Sequence, residues 1–251
     1  MSFQAVVRQF ELLFDRVLWR LNGGLAQVTP VDRETISSVR AKNLTYLSER
    51  KLASLASTCR DLEQRGVNGL FVEAGCALGG SSILIASTKS RERGFQIYDV
   101  FGMIPSPTSD DTPEVHARYK TIREGESAGI GGDRYYGYEP NLREMVQENL
   151  HSFGIDLERQ SVTLIKGLLQ ETMFIEEPVA FAHIDVDWYD PVLTCLQRIF
   201  PKLVVSGSIV LDDYQDWGGC RKAVDHFLKG VPGQFSIDDS AGSRKITRIK
   251  V

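Results

Sequence analysis

Apolar residues fall along this chain in two alternating rhythms. Short, nearly continuous runs rich in β-branched and aromatic residues are separated by stretches whose apolar positions recur every three or four residues. The short runs predict buried strands over 70–73, 95–98, 162–165, 179–184 and 208–211. The longer rhythm predicts helices over 48–65, from the glycine run at 79–80 through Ala86, after Glu139, over 191–200 and over 219–228. Strands alternating with helices in this way predict an α/β fold: a doubly wound, mostly parallel, Rossmann-like sheet. Runs at 234–237 and 245–251 are expected to close it antiparallel. A further helix is expected over 3–21, with Phe10, Phe14 and Leu18 on one face and Asn22-Gly23-Gly24 as its stop. Residues 1–66 thus read as a helical extension ahead of a domain over 67–251.

One stretch breaks the rhythm. Residues 102–138 hold Pro105-Ser106-Pro107, Asp110-Asp111, several glycines and the cluster Tyr135-Tyr136-Gly137-Tyr138. The insertion leaves from a strand C-terminus, the edge where such sheets bind ligands. It reads either as a mobile lid with a short helix around 114–123 or as a disordered surface insertion.

Composition narrows the function classes. A net charge of −4 over 251 residues, with scattered Lys and Arg, gives no electrostatic case for nucleic acid. No apolar stretch nears the ~20 residues of a membrane span, and no signal-peptide pattern opens the chain, so a cytoplasmic protein is expected. Cys59, Cys76, Cys195 and Cys220 lack metal-ligand or disulfide-framework spacing, and so do the four histidines. The amphipathic N-terminal helix makes a homo-oligomer the expectation.

The acidic residues near the C-terminus carry the most chemistry. His183-Ile184-Asp185-Val186-Asp187 and Leu211-Asp212-Asp213-Tyr214 each end an apolar strand. Four carboxylates gathered at strand ends are costly unless a cation joins them. A divalent ion on Asp185, Asp212 and Asp213, with Asp187 free as a base, removes the conflict, and oxygen ligands favour Mg²⁺. An exposed acidic rim is the alternative. His183 shares a face with Asp185 and Asp187 and is expected to be a buried, hydrogen-bonded structural residue; orienting a carboxylate and serving as an alternative base are the other readings. Arg221 is expected to pair with Asp225 one turn on.

Between the first strand and the next helix lies Glu73-x-Gly75-x-x-x-Gly79-Gly80-Ser81-Ser82. A glycine turn admits a ligand to the backbone, and Ser81 and Ser82 add hydroxyl donors at the helix start. An acid just before that turn suits an amino group better than a pyrophosphate. Asp99, at the end of the second strand, stands where an acid grips ribose hydroxyls. Ribose and amino group without phosphates point to S-adenosylmethionine (SAM) rather than a dinucleotide.

These motifs together resemble the TylF-like macrocin O-methyltransferase family. The likeness rests on Phe71-Val72-Glu73-Ala74-Gly75-Cys76, Asp99-Val100-Phe101-Gly102, His183 to Asp190, Leu211 to Tyr214 and Gly219 to Phe227. It implies a metal- and SAM-dependent O-methyltransferase acting on a hydroxyl of a small molecule, with sugars of glycosylated natural products as the expected acceptors. By position it implies Asp185, Asp212 and Asp213 as metal ligands and Asp187 as base. Glu73, Gly75, Ser81, Ser82, Asp99 and Val100 then contact the cofactor, joined by Gly167 and Leu168 near the adenine. A catechol-type O-methyltransferase and a non-catalytic protein on the same fold are the competing expectations.

Overall fold

The computed structural model describes residues 27–250; the helix expected over 3–21 lies outside them. Two helices come first, α1 (Pro30–Ala41) and α2 (Glu49–Gln64). Thr29 opens α1 with a reciprocal cap, its hydroxyl on the Asp32 amide and the Asp32 carboxylate on its own amide, and Ser48 caps α2. The alternating part runs β1 (Leu70–Ala74), α3 (Gly80–Thr88), β2 (Phe95–Asp99), α4 (Pro113–Arg123), α5 (Leu142–Ser152) and β3 (Val162–Lys166). It continues through α6 (Leu169–Thr172), β4 (Val179–Ile184), α7 (Tyr189–Ile199), β5 (Leu203–Leu211) and α8 (Gly218–Lys229) to the hairpin β6 (Phe235–Asp238) and β7 (Arg244–Arg248).

The seven strands lie in the order β3-β2-β1-β4-β5-β7-β6. The first five are parallel, and β7 joins β5 antiparallel with β6 outside it. Every residue of β1 and of β4 is buried, as continuous apolar runs in a sheet covered on both faces require. Alternate residues feed two cores. Phe71, Phe181 and Val210 meet Leu52 and Leu55 of α2, Ile83 of α3 and Val146 of α5. Val72, Ala182 and Ile209 meet Val192 and Cys195 of α7 and Val224 of α8. The N-terminal helices thus share a core with the sheet.

All the predicted strands form, and β5 starts five residues earlier than its apolar run suggested, at Leu203. Helix α1 carried no clear periodic signal, because only Asp32, Ile36 and Val39 are buried along it. The strand order reverses between β1 and β4, which opens a crevice beyond their C-terminal ends. Helix α4 and the rest of the 102–138 insertion fold over that edge.

Candidate active site

A cavity of about 320 Å³ occupies the crevice. Two strand ends meet closely at its floor. Gly75 follows β1 at φ +80°, and a Cβ there would lie 1.9 Å from the Asp185 carbonyl oxygen. Only glycine lets the ends of β1 and β4 come this close. The Gly75 amide bonds the Tyr98 carbonyl at 2.9 Å, and the Asp185 amide bonds that of Ala74 at 2.9 Å.

Asp99 ends β2 on one wall. Its two oxygens accept the Cys76 amide at 2.8 Å and the Phe101 amide at 2.7 Å. Burial raises its carboxyl pKa and these amides oppose the rise. Each oxygen keeps a lone pair for a ligand hydroxyl. Val100, Gly167 and Leu168 line the same wall, with Asp185 and Asp187 facing them. The structure therefore brings Gly75, Asp99, Val100, Gly167, Leu168, Asp185 and Asp187 to one cavity.

Three of the expected contacts go elsewhere. Glu73 is wholly buried, with one oxygen bonded to His183 Nδ1 at 2.8 Å and the other to the Ser82 hydroxyl. Ser81 is buried in the first turn of α3. None of the three is among the residues that line the cavity; they lie beneath its floor, around the start of α3. The reason is geometric: Glu73 points to the α2 face of the sheet, while the ligand edge begins two residues on, at Gly75.

The other carboxylates gather at the ends of β4 and β5. Asp185, Asp212 and Asp213 each offer an oxygen, and these atoms lie within 4.8 Å of one another. The Asp187 amide donates to Asp213 at 3.1 Å, at the turn where Asp187 itself adopts φ 55°. Burial and then the charge of Asp212 raise the carboxyl pKa values of both Asp185 and Asp187. Asp213 is pushed up by burial and by Asp187 and Asp185. All-oxygen donors that oppose one another's ionisation fit a hard divalent cation, which would relieve the repulsion.

One cation is already built in. Lys51 of α2 reaches Asp212 at 3.0 Å and Asp216 at 2.9 Å, and the Ser243 hydroxyl bonds the other Asp212 oxygen at 3.0 Å. Burial works against the Lys51 charge, but Asp212 and Asp216 outweigh it and the net pKa shift is upward. Sequence reasoning missed Lys51 and Ser243. A lysine on the polar side of an amphipathic helix and a serine in a hairpin turn carry no signal of a partner far along the chain.

The insertion is tied to this machinery. The Trp188 indole donates to the Pro105 carbonyl at 3.0 Å, and Trp188 packs edge-on against Trp217. Tyr135 and Tyr136 lie 4.5 Å apart between ring centroids, with Tyr46 a further 6.2 Å from Tyr136. Tyr136 lines the cavity. Arg221 does not take the expected partner: it donates to the carbonyls of Tyr214 and Gln215, and Asp225 accepts the Tyr214 hydroxyl instead.

With this geometry in place, comparison with known proteins is decisive. The profile described as macrocin-O-methyltransferase (TylF) matches residues 25–233. The chain belongs to that family. As a TylF-family protein it is an O-methyltransferase, with SAM as its methyl donor. Demethyldecarbamoylnovobiocin O-methyltransferase of Streptomyces niveus is 24% identical over 78% of this chain and 70% of its own. Mycinamicin III 3''-O-methyltransferase of Micromonospora griseorubida is 26% identical over 73% and 69%. A Streptomyces olivaceus enzyme named for 4'-O-methylation of a dimethoxy-rhamnosyl tetracenomycin is 27% identical over 80% and 67%. The solved structure of the O-methyltransferase NovP covers 85% of this chain and 88% of its own at TM-score 0.69 and 21% identity, a likeness of fold. No helix among the described residues is long and apolar enough to cross a membrane.

Proposed function

We propose that this chain transfers a methyl group from SAM to a hydroxyl on a sugar of a glycosylated natural product, with a divalent cation, Mg²⁺ or a relative, on Asp185, Asp212 and Asp213. One observation carries this: the oxygens of Asp185, Asp212 and Asp213 lie within 4.8 Å of one another, and Asp185 lines the same cavity as Asp99 and Asp187. The names of the relatives, two of which specify numbered sugar-type positions or a rhamnosyl group, support the acceptor class.

In this scheme Asp99 holds the ribose hydroxyls while Gly167 and Leu168 flank the adenine. The Gly75 turn lets the donor lie against the backbone. A cation bound to the three aspartates would hold the acceptor oxygen and lower its pKa. Asp187 then takes the hydroxyl proton as general base. Tyr136, with Tyr46 and Tyr135 behind it, offers ring faces against which a sugar can pack. Trp188, fixed by Pro105, closes the cavity against water.

The test is methyl transfer from SAM to a panel of glycosylated polyketides and aminocoumarins, read by product mass, with Mg²⁺ or with a chelator. Transfer to a sugar hydroxyl that stops on chelation is expected. Transfer that persists in chelator would remove the cation from the scheme, and transfer only to free catechols would replace the acceptor class.

A further inference from the structure

Among the ties between the insertion and the base-bearing turn is one carboxylate that lines the cavity and that the reaction scheme does not use, Asp111. Asp111 is buried, 9% exposed. One of its oxygens accepts the Tyr189 amide at 2.8 Å and the other accepts the Thr108 amide at 2.9 Å. Tyr189 is the first residue of α7, and Trp188, which precedes it, provides no side-chain cap. Asp111 therefore caps α7 from a site distant in sequence, adding a negative charge at the positive end of the helix dipole. Two residues before Tyr189 stands Asp187.

The surroundings leave this carboxylate little freedom. A Cβ added at Gly219, in the first turn of α8, would lie 2.3 Å from the same Asp111 oxygen. The neighbouring Asp110 accepts Lys222 of α8 at 2.8 Å. Ile104, Pro105, Ser106 and Thr108, the stretch that Asp111 closes, form part of the cavity wall.

We propose that Asp111 is a positioning residue: it locks residues 102–112 onto the start of α7, so that the outer wall of the cofactor cavity and the turn aiming Asp187 are set together. The proposal rests on the cavity being the SAM site. Neither event then occurs alone. A wall that opens releases the α7 cap and frees the Val186–Trp188 turn; a wall that closes restores both.

Asp111→Ala and Asp111→Asn can be compared with the unaltered protein by calorimetric titration with SAM and by hydrogen exchange of peptides over 102–112, 186–192 and β5. Loss of two hydrogen bonds to one charged acceptor is expected to weaken SAM binding by roughly 10–100-fold in Asp111→Ala. Exchange should rise together over 102–112 and 186–192 and stay unchanged in β5. Asp111→Asn, whose amide accepts from one backbone group and not both, should fall between. Should Asp111→Ala not fold, Asp111→Asn and Trp188→Phe, which removes the Pro105 bond, carry the same comparison. Unchanged SAM affinity, loosening of 102–112 alone, or an equal rise in β5 each overturns the proposal. Failure of the unaltered protein to bind SAM overturns the cavity assignment, and the proposal with it.

Discussion

Glu73 of β1 and the aspartates at the ends of β4 and β5 are carboxylates at one edge of the sheet, and they have opposite fates. Glu73 has its needs met from within: His183 holds one oxygen and Ser82 the other. Asp213 is buried and Asp185 and Asp187 are half-buried beside it, and desolvation together with neighbouring carboxylates raises the pKa of each. Lys51 and Ser243 serve Asp212, but no ion pair among the described residues joins the other three. A carboxylate with complete partners is part of the framework. A set left in mutual conflict is destabilising by itself and makes sense as a place kept for something that arrives.

That contrast can be broken in several ways. Asp185→Asn should have the largest effect, abolishing measurable methyl transfer while leaving SAM affinity within a few-fold of the original; normal turnover would show that the cluster is not the reacting site. Asp187→Asn should lower kcat by roughly 10²–10⁴-fold, the usual worth of a positioned base, and a rate close to the original would move that role to another group. Mg²⁺ at about a hundred times its dissociation constant should stabilise the fold by about 2.7 kcal/mol, seen as a higher Tm that is lost in Asp185→Asn and kept in Glu73→Gln.

Glu73→Gln should cost about 1–3 kcal/mol in urea unfolding, because a buried partner loses its match. Asp213→Asn in chelator should cost nothing or stabilise, and equal losses in both variants would erase the distinction between the groups. The same conflict sets a pH dependence. Carboxyls with raised pKa bind protons more tightly folded than unfolded, so their contribution is full below the ordinary carboxylate range. It is lost as pH rises through about 6 for Asp187 and about 8 for Asp185. Chelated protein should therefore lose stability across that window, and Mg²⁺ should flatten the slope.

The sheet was legible because its strands are apolar throughout and their burial is total, as in β4. The carboxylates were legible because acids at the ends of such strands are carried into the sheet's edge, where each charge loses water and repels the next. The internal partners of Glu73 were not legible, because a motif gives the order of residues but not the face on which each side chain emerges. Glu73 alternates with Val72, and the α2 face claims it. Asp111 and Lys51 were illegible for a different cause: each acts on a group far along the chain, and short spacing carries no trace of that. In the sequence the Asp110-Asp111 pair stands only as part of the 102–138 insertion.

The contact between Gly75 and the Asp185 carbonyl has a bearing on how this enzyme could be redesigned. In the proposed scheme the floor under the methyl donor and the strand end that carries the first metal ligand meet there, with no room for a single added carbon. Neither can be shifted to admit a bulkier donor analogue without dragging the other along. Enlarging the range of acceptors is a different matter, since Tyr46, Tyr135 and Tyr136 stand on segments remote from that contact. Libraries aimed at new substrates belong in the aromatic wall, and variants with altered donors should be sought from the Asp99 and Gly167 side.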